Sequence, residues 1–189
     1  MLDKIYVALI HYPVLGREGQ IISTAITNFD IHDISRTCRT YGIKKYYLVN
    51  NLSAQNKIAR NVLDYWQYGF GKEYNPNRND ALMLADIKEY IEEVIEDIEN
   101  KEGIKPKIVF TSAKPRDKAI TFKDMSEEIK TVEEPLLIIY GTGWGMPEEL
   151  REICDYDLEP IRADWEFNHL SVRAAVAISL DRLIGEEIY

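Results

Sequence analysis

The apolar run over residues 136–140, which passes directly into a glycine-rich loop, is the feature that most constrains the fold of this chain. The run is too short for an ordinary helix, and its two adjacent isoleucines are typical of a buried parallel strand. The loop that follows reads Gly-Thr-Gly-Trp-Gly over residues 141–145. Closely spaced glycines let a backbone approach a ligand, although they also serve a simple tight turn. The stretch therefore indicates a central strand that ends at a ligand loop, with a tight turn as the alternative.

Further apolar runs alternate with helical patterns along the chain. Residues 4–11, 45–49 and 107–111 read as buried strands, and residues 156–160 as a short one. Helices are predicted over residues 31–41, 54–68, 80–100, 124–131, 147–154 and 167–184. Strands separated by helices predict an α/β fold with a mostly parallel sheet and helices on both faces. Ligands of such sheets bind at the carboxyl ends of the strands, where the glycine loop lies.

Length and charge limit the classes of protein that fit. The 189 residues, 46% apolar and 29% charged, predict one globular domain over residues 1–189. No stretch approaches the roughly 20 apolar residues that span a bilayer, so no membrane association is expected. The net charge of −9 argues at first against a nucleic-acid partner. However, residues 86–102 hold eight acids against two lysines, so one solvated helix face carries most of the excess.

The cysteines and histidines are dispersed. Cys38 and Cys154 lie far apart, and no cysteine pair or histidine stands at metal-ligand spacing. Two unpaired cysteines are typical of a reducing compartment, so the pattern predicts a cytoplasmic protein without a metal site.

The predicted helix over residues 31–41 carries a polar, cationic face. His32 and Arg36 are four residues apart and Arg39 follows three later, so the three share one side of the helix. Guanidinium groups offer bidentate hydrogen bonds to phosphate, so this face predicts a phosphate or nucleotide site. The alternative is a solvated face on which Asp33 pairs with Arg36 or the following threonine. Asp30 is expected to be the N-cap.

The predicted last helix begins with polar residues. Asn168, His169 and Ser171 stand near its start, where free backbone amides can bind a ligand. Asn168 or Ser171 would equally serve as a helix cap, so both interpretations stay open.

Three separated segments, residues 30–49, 135–146 and 168–183, together resemble the SPOUT or α/β-knot superfamily of S-adenosylmethionine-dependent RNA methyltransferases. The first is similar to motif 1 of that superfamily, with Arg36 followed by threonine and later Tyr-Gly before a strand. The second is similar to motif 2, an apolar strand running into a glycine loop. The third is similar to motif 3, in which Ser171 leads an alanine-rich helix. The resemblance covers nearly the whole chain.

The resemblance implies a C-terminal trefoil knot, an obligate homodimer, S-adenosylmethionine as cofactor and RNA, such as tRNA or rRNA, as substrate. It implies that Arg36 is the catalytic residue and faces the cofactor of the other protomer. Substrate contacts are implied for Asn28, Asp30, His32 and Arg39. The implied cofactor-binding residues are Thr111, Tyr140, Gly141, Thr142, Gly143, Trp144, Gly145, Ile161, Asn168, His169, Leu170 and Ser171.

The chain departs from the SpoU-type pattern at three points. Asp30 stands where motif 1 commonly opens with asparagine, the glycine loop lacks the usual glutamate, and His169 replaces a common asparagine. Two alternative hypotheses therefore remain: a knotted dimer that binds S-adenosylmethionine or a nucleotide without transferring a methyl group, and a methyltransferase acting on a protein or small molecule. The methylated atom, a base nitrogen or a ribose 2′-hydroxyl, also stays open.

Overall fold

A parallel sheet of six strands forms the centre of the protein, as seen in a computed structural model that describes residues 4–185. The strands of the chain are β1 (Ile5–Ile10), β2 (Val14–Leu15), β3 (Ile21–Ile22), β4 (Lys45–Val49), β5 (Ala85–Lys88), β6 (Lys107–Phe110), β7 (Leu136–Gly141) and β8 (Tyr156–Asp157). The order across the main sheet is β5-β4-β1-β7-β6-β8, and every neighbouring pair is parallel. β2 and β3 form a separate antiparallel hairpin.

Helices cover both faces of this sheet. A π-helical turn (Asp30–Ile34) leads into α1 (Ser35–Thr40), and the remaining helices are α2 (Ser53–Gln67), α3 (Phe70–Tyr74), α4 (Pro76–Leu82), α5 (Ile91–Glu102), α6 (Phe122–Thr131), α7 (Glu148–Arg151) and α8 (Val172–Ile184). The helices α5 and α7 pack on one face, and α1, α2, α6 and α8 pack on the other. The predicted mostly parallel α/β fold is confirmed.

The central strand β1 is buried on both sides. Val7 and Leu9 belong to the apolar cluster that contains α1 and α8, whereas Ala8 and Ile10 belong to the cluster that contains α5. Because both faces are covered, the strand has no polar alternation and appears in the sequence as a continuous apolar run. This is why β1, β4, β6 and β7 are found close to their predicted bounds.

The single acidic helix predicted over residues 80–100 is wrong. The chain there forms the end of α4, the edge strand β5 and then α5. Ala85 and Ile87 are buried and alternate with half-buried neighbours, the period of a strand, and the segment pairs with β4. The Gln67 amide donates to the carbonyls of Leu82 and Ala85 at 2.7 and 3.1 Å, which satisfies the backbone where the helix stops. Ile87 and Ile91 have helical spacing by coincidence, since they belong to different elements.

Two predicted helix starts also differ. The last helix begins at Val172 rather than residue 167, because Ser171 has extended backbone angles and its hydroxyl caps the helix. Asp30 is not an N-cap. Its backbone is already helical, and its carboxylate accepts hydrogen bonds from the backbone N and Oγ1 of Thr27 at 2.9 and 2.7 Å. Thr27 and Asp30 therefore close the helix start as a capping box.

Other features of the described residues bear on the sequence expectations. No helix within residues 4–185 combines the length and the apolar character needed to cross a membrane. Cys38 and Cys154 are both free thiols. The predicted domain over residues 1–189 includes residues 1–3 and 186–189, which lie outside the described part of the chain.

Candidate active site

The glycine loop, residues 141–145, crosses the carboxyl end of β1 and is held there by backbone hydrogen bonds. The Thr142 amide donates to the carbonyl of Ile10 at 3.2 Å. Leu15 in the β2–β3 hairpin donates to Gly145 at 2.8 Å and accepts from Trp144 at 3.1 Å. β1 and β7 lie next to each other where the sheet changes winding direction, the position at which open α/β sheets form a ligand crevice. The hairpin thus fixes one side of the loop.

The three glycine positions of this loop require glycine for different physical reasons. A Cβ on Gly141 would lie 2.6 Å from Met146 Cγ, and one on Gly143 would lie 3.0 Å from the carbonyl oxygen of Leu15. Gly143 and Gly145 also have positive φ angles of 60° and 106°, which side-chain-bearing residues rarely adopt. Only Gly145 borders open space. Two of the glycines therefore serve the packing of the protein itself, and Gly145 leaves room for a ligand.

The aromatic residues of this region lie in opposite environments. Trp144 is 61% exposed, so its ring is available as the wall of a pocket. Tyr140 is buried in the cluster that contains α8, and burial raises the pKa of its hydroxyl. Only the backbone of Tyr140 can therefore contact a ligand at the loop.

Three loop segments with predicted cofactor residues are joined at this end of the sheet. Thr111 Oγ1 donates to the carbonyl of Ile139 at 2.8 Å, which links the ends of β6 and β7. The Asn168 side chain donates to the carbonyl of Ala113 at 3.0 Å, so the segment before α8 lies against the loop after β6. Ile161 is half-buried and packs against the core. The structure thus brings the predicted residues of motifs 2 and 3 to one region.

The segment immediately before α8 is open to solvent. His169 and Ser171 are exposed, and Leu170 is 48% exposed. The rings of Phe167 and His169 make an edge contact, with centroids 5.4 Å apart. The hydroxyl of Ser171 accepts from the backbone N of Ala174, so its helix-cap role is observed. The apolar surface of Leu170 remains free to contact a ligand.

Motif 1 is connected to α8 by an ion pair. Arg173 Nη1 donates to Asp33 Oδ2 at 2.8 Å, and the guanidinium also lies over the ring of Phe29 at 4.6 Å. The expected pairing of Asp33 within its own helix is therefore wrong, because α8 places a cation against it. This contact brings motifs 1 and 3 together, and sequence reasoning had assigned Arg173 no such role.

The three aligned residues of the cationic face have different surroundings. Arg39 pairs with Asp80 at 2.7 Å in an exposed salt bridge, which stabilises the fold little. The His32 ring contacts Trp66 edge-on, with centroids 5.7 Å apart. Burial, with the charges of Arg78 and Arg36, lowers the pKa of His32.

Within residues 4–185, no hydrogen bond or ion pair engages the exposed Arg36 guanidinium. Asn28 is exposed at the helix start.

A buried polar chain that sequence reasoning missed connects motif 1 to the glycine loop. His11 is 1% exposed, and its Nδ1 lies 2.9 Å from Thr24 Oγ1, which lies 2.5 Å from Thr142 Oγ1. His11 Nε2 is 3.9 Å from a carboxylate oxygen of Asp30. Burial lowers the pKa of His11 to about 4, against the opposing charge of Asp30. The available signal was a histidine placed directly at the end of an otherwise apolar strand.

The described residues also bear on a metal site. No three His, Cys, Asp or Glu side chains within residues 4–185 are grouped closely enough to hold a metal ion.

Comparison with known proteins decides the family. Residues 4–185 match the sequence family described as SAM-dependent RNA methyltransferase, in which SAM is S-adenosylmethionine. The chain belongs to this family. Membership identifies S-adenosylmethionine as the cofactor, and the exposed Trp144 and Leu170 with the open side of Gly145 suit its adenosine and methionine parts.

Two relatives of this methyltransferase illustrate the similarity. An uncharacterised protein of Aquifex aeolicus is 40% identical over 97% of this chain and 89% of its own length. A protein of Nitratidesulfovibrio vulgaris named tRNA (guanine-N(1)-)-methyltransferase is 40% identical over 97% of this chain but only 42% of its own length. This methyltransferase thus spans less than half of that relative's length.

Solved structures agree on the fold. The SpoU methyltransferase AviRb of Streptomyces viridochromogenes, in complex with AdoMet, superposes with a TM-score of 0.59 at 14% identity, covering 97% of this chain and 58% of that one. At this identity the likeness concerns the fold alone. The predicted family of S-adenosylmethionine-dependent RNA methyltransferases is confirmed, and this solved structure agrees with the predicted α/β fold.

Proposed function

We propose that this methyltransferase transfers a methyl group from S-adenosylmethionine to a nucleotide of tRNA or rRNA. One observation carries the proposal: the glycine loop, the loop after β6 and the segment before α8 meet at the carboxyl end of the sheet, next to the motif 1 helix. Family membership gives the reaction class, and this junction supports the proposed location of the reaction.

The cofactor would be held by these three segments. The cofactor, when bound, would supply an electrophilic methyl group on a positively charged sulfur: a bond from the nucleophile to the methyl carbon would form as the carbon–sulfur bond breaks, the nucleophile would lose its proton, and neutral S-adenosylhomocysteine would leave. The chain must therefore orient the nucleophile and exclude water from the reacting groups. We assign the backbone of residues 140–145, the ring of Trp144 and the side chain of Leu170 to the pocket walls. Thr111, Thr142, Ile161 and residues 168–171 complete the proposed set.

Arg36 is proposed to orient a phosphate or hydroxyl of the target nucleotide. A guanidinium stays protonated, so it binds anions well and is a poor general base. Asn28, His32 and Arg39 belong to the same helical segment and are proposed as substrate contacts. For a base nitrogen, Asp30 or Asp33 is the proposed proton acceptor, and for a ribose hydroxyl it is a substrate phosphate. Of the two carboxylates, Asp33 is more exposed, whereas Asp30 is buried and accepts a hydrogen bond from the backbone N of Thr27.

We further propose a homodimer in which Arg36 faces the cofactor of the partner subunit. The exposed guanidinium, which forms no hydrogen bond or ion pair within residues 4–185, supports this arrangement. We infer a trefoil knot at the C-terminal end, supported by the passage of the segment before α8 beside the loop after β6. We also propose that residues 1–189 act as one domain in the cytoplasm, in keeping with the two free cysteines.

Calorimetry with S-adenosylmethionine, followed by transfer of a labelled methyl group to bulk tRNA and to rRNA, tests the proposed function. We expect cofactor binding and label in one of the two RNA fractions. Cofactor binding with no label in either RNA would reject RNA methylation. Label in added protein or small-molecule extract would then identify another substrate class, and no label anywhere would favour the non-catalytic binding module.

A further inference from the structure

The helices between β4 and β5 carry a concentration of exposed aromatic rings. Tyr65, Tyr68, Phe70 and Tyr74 are 46%, 73%, 64% and 72% exposed. Together with Trp66 they are called the aromatic platform here. The four exposed rings lie on α2, α3 and the turn between them, and such a group on a surface marks an interaction site rather than a core.

Trp66 in the aromatic platform is fixed by contacts with several neighbouring residues. The guanidinium of Arg78 lies 4.7 Å from the centroid of the Trp66 ring, and the Tyr65 ring meets Trp66 edge-on at 5.3 Å. Asn79 donates to the carbonyl of Trp66 at 2.8 Å, and a Cβ on Gly71 would lie 2.7 Å from the Trp66 ring. The turn between α2 and α3 is thus tightly packed, so little conformational entropy is lost when a flat ligand binds to it.

Cations accompany these rings. Lys57, Arg60 and Lys72 are exposed, and no ion pair within the described residues 4–185 engages them. Tyr65 follows Lys57 by eight residues, and Tyr68 follows Tyr65 by three. These spacings place all three on the same side of α2. Residues 53–82 hold four Lys or Arg against three Asp or Glu, whereas the whole chain has a net charge of −9. This segment therefore carries a net charge of +1 in an acidic protein.

The aromatic platform continues into the cationic face of motif 1. Trp66 contacts the ring of His32 at 5.7 Å, and α4 reaches α1 through the Asp80–Arg39 pair at 2.7 Å. These two contacts join the aromatic platform and α4 to the helix that carries Arg36.

We propose that the aromatic platform binds unpaired nucleotides of the RNA substrate by base stacking, while Lys57, Arg60 and Lys72 contact the phosphates. This inference rests on the proposed RNA methyltransferase function. Every base has a flat face that an exposed ring can stack on, but only an unpaired base presents it. A protein partner fits less well, because lysine is depleted from the centres of protein interfaces.

The test measures binding by fluorescence anisotropy with two labelled RNAs of about 20 nucleotides, one an unstructured single strand and one annealed to its complement as a fully paired duplex. The variants are the double substitutions F70A/Y74A and K57Q/R60Q. Tyr90→Ala is the matched control, since Tyr90 is 45% exposed but precedes α5 on the other face of the sheet. The conservative pair F70Y/Y74F keeps the rings.

We expect the wild type to prefer the unstructured RNA and F70A/Y74A to weaken its binding by about tenfold or more. K57Q/R60Q should weaken binding and flatten its salt dependence. Y90A and F70Y/Y74F should bind as the wild type does, and calorimetry should give unchanged cofactor affinity throughout.

Unchanged RNA binding by F70A/Y74A would overturn the proposed stacking of bases on the aromatic platform and would leave the proposed methyltransferase function standing. Conversion to a monomer by that variant in sedimentation would instead assign the platform to a subunit interface and would equally overturn the proposal. If the wild type binds neither RNA, the proposed function fails together with this inference.

Discussion

Arg36 is the residue whose substitution separates the proposed chemistry from cofactor binding. Its guanidinium is exposed and forms no hydrogen bond or ion pair within the described chain, so Arg36→Ala should change stability by less than about 0.5 kcal/mol. We expect methyl transfer to fall by about 100-fold or more, because the nucleophile is no longer oriented. Cofactor affinity measured by calorimetry should stay near the wild-type value.

The matched control for Arg36 is Arg39→Ala on the same helix face. Arg39 is paired with Asp80, so its substitution should reduce transfer less than that of Arg36. Equal loss of transfer and of cofactor binding in Arg36→Ala would assign that residue a structural role.

His11 should make the stability of the protein depend on pH. Its pKa is lowered from 6.5 to about 4 by burial, so between these values the unfolded state binds more protons than the folded state. The contribution of neutral His11 is therefore complete above pH 6.5 and is lost as the pH falls toward 4. This shift lowers the free energy of unfolding by about 2 kcal/mol between pH 7 and pH 5.

Urea denaturation of the wild type and of His11→Gln at several pH values measures this effect. Because His32 has a shift in the same direction, the quantity to compare is the difference in pH slope between the two proteins. The variant should be less dependent on pH across this range. Identical slopes would mean that His11 titrates as an ordinary histidine.

At the scale of elements, the glycine loop depends on backbone angles that only glycine adopts easily. Gly143→Ala introduces a Cβ at a φ of 60° and 3.0 Å from the Leu15 carbonyl, so the loop must shift away from the hairpin. We expect a loss of stability of about 1–3 kcal/mol and about tenfold weaker binding of S-adenosylmethionine.

Gly103→Ala is the control for this loop. Gly103 follows α5 with a φ of 77°, and a Cβ there meets no atom within 4 Å, so the variant has the backbone strain without the collision. It should be destabilised by about 1 kcal/mol while binding the cofactor normally, as calorimetry would measure. Normal cofactor binding by Gly143→Ala would argue that this loop is a turn without a ligand.

At the scale of the whole molecule, the proposed dimer predicts that two impaired chains can complement each other when transfer is assayed at a cofactor concentration too low to saturate Gly143→Ala. In a mixed dimer of Arg36→Ala and Gly143→Ala, the intact glycine loop of the first chain would face the intact Arg36 of the second. If Arg36 acts across the interface, refolding the two variants together should restore about a quarter of the wild-type activity, since half the dimers are mixed and each has one complete site.

Each variant refolded alone is the control for this experiment, and sedimentation measures whether dimers form. An inactive mixture that is dimeric would place Arg36 at the cofactor of its own chain, and a monomeric protein would reject the dimer itself.

Much of this fold and part of the candidate site followed from local patterns in the sequence. The last helix was predicted, but its start was placed at residue 167 instead of Val172. The glycine loop and the cationic face with His32 and Arg36 were also predicted, because helix faces and glycine turns depend on residues close in the chain. The acidic stretch failed for the same reason. Whether Ile87 belongs to a helix or a strand was decided by pairing with β4, which local spacing does not encode.

The sequence by itself determined the alternation of strands and helices, the membership of a methyltransferase family and the residue types at the candidate site. Only the tertiary structure decided which of these side chains meet. It joined His11 to Thr142 through Thr24 and paired Asp33 with Arg173, whereas Arg36 forms no hydrogen bond or ion pair within residues 4–185. The physical reason is that these contacts join residues up to about 140 positions apart, whose distances depend on the packing of the complete sheet and its helices.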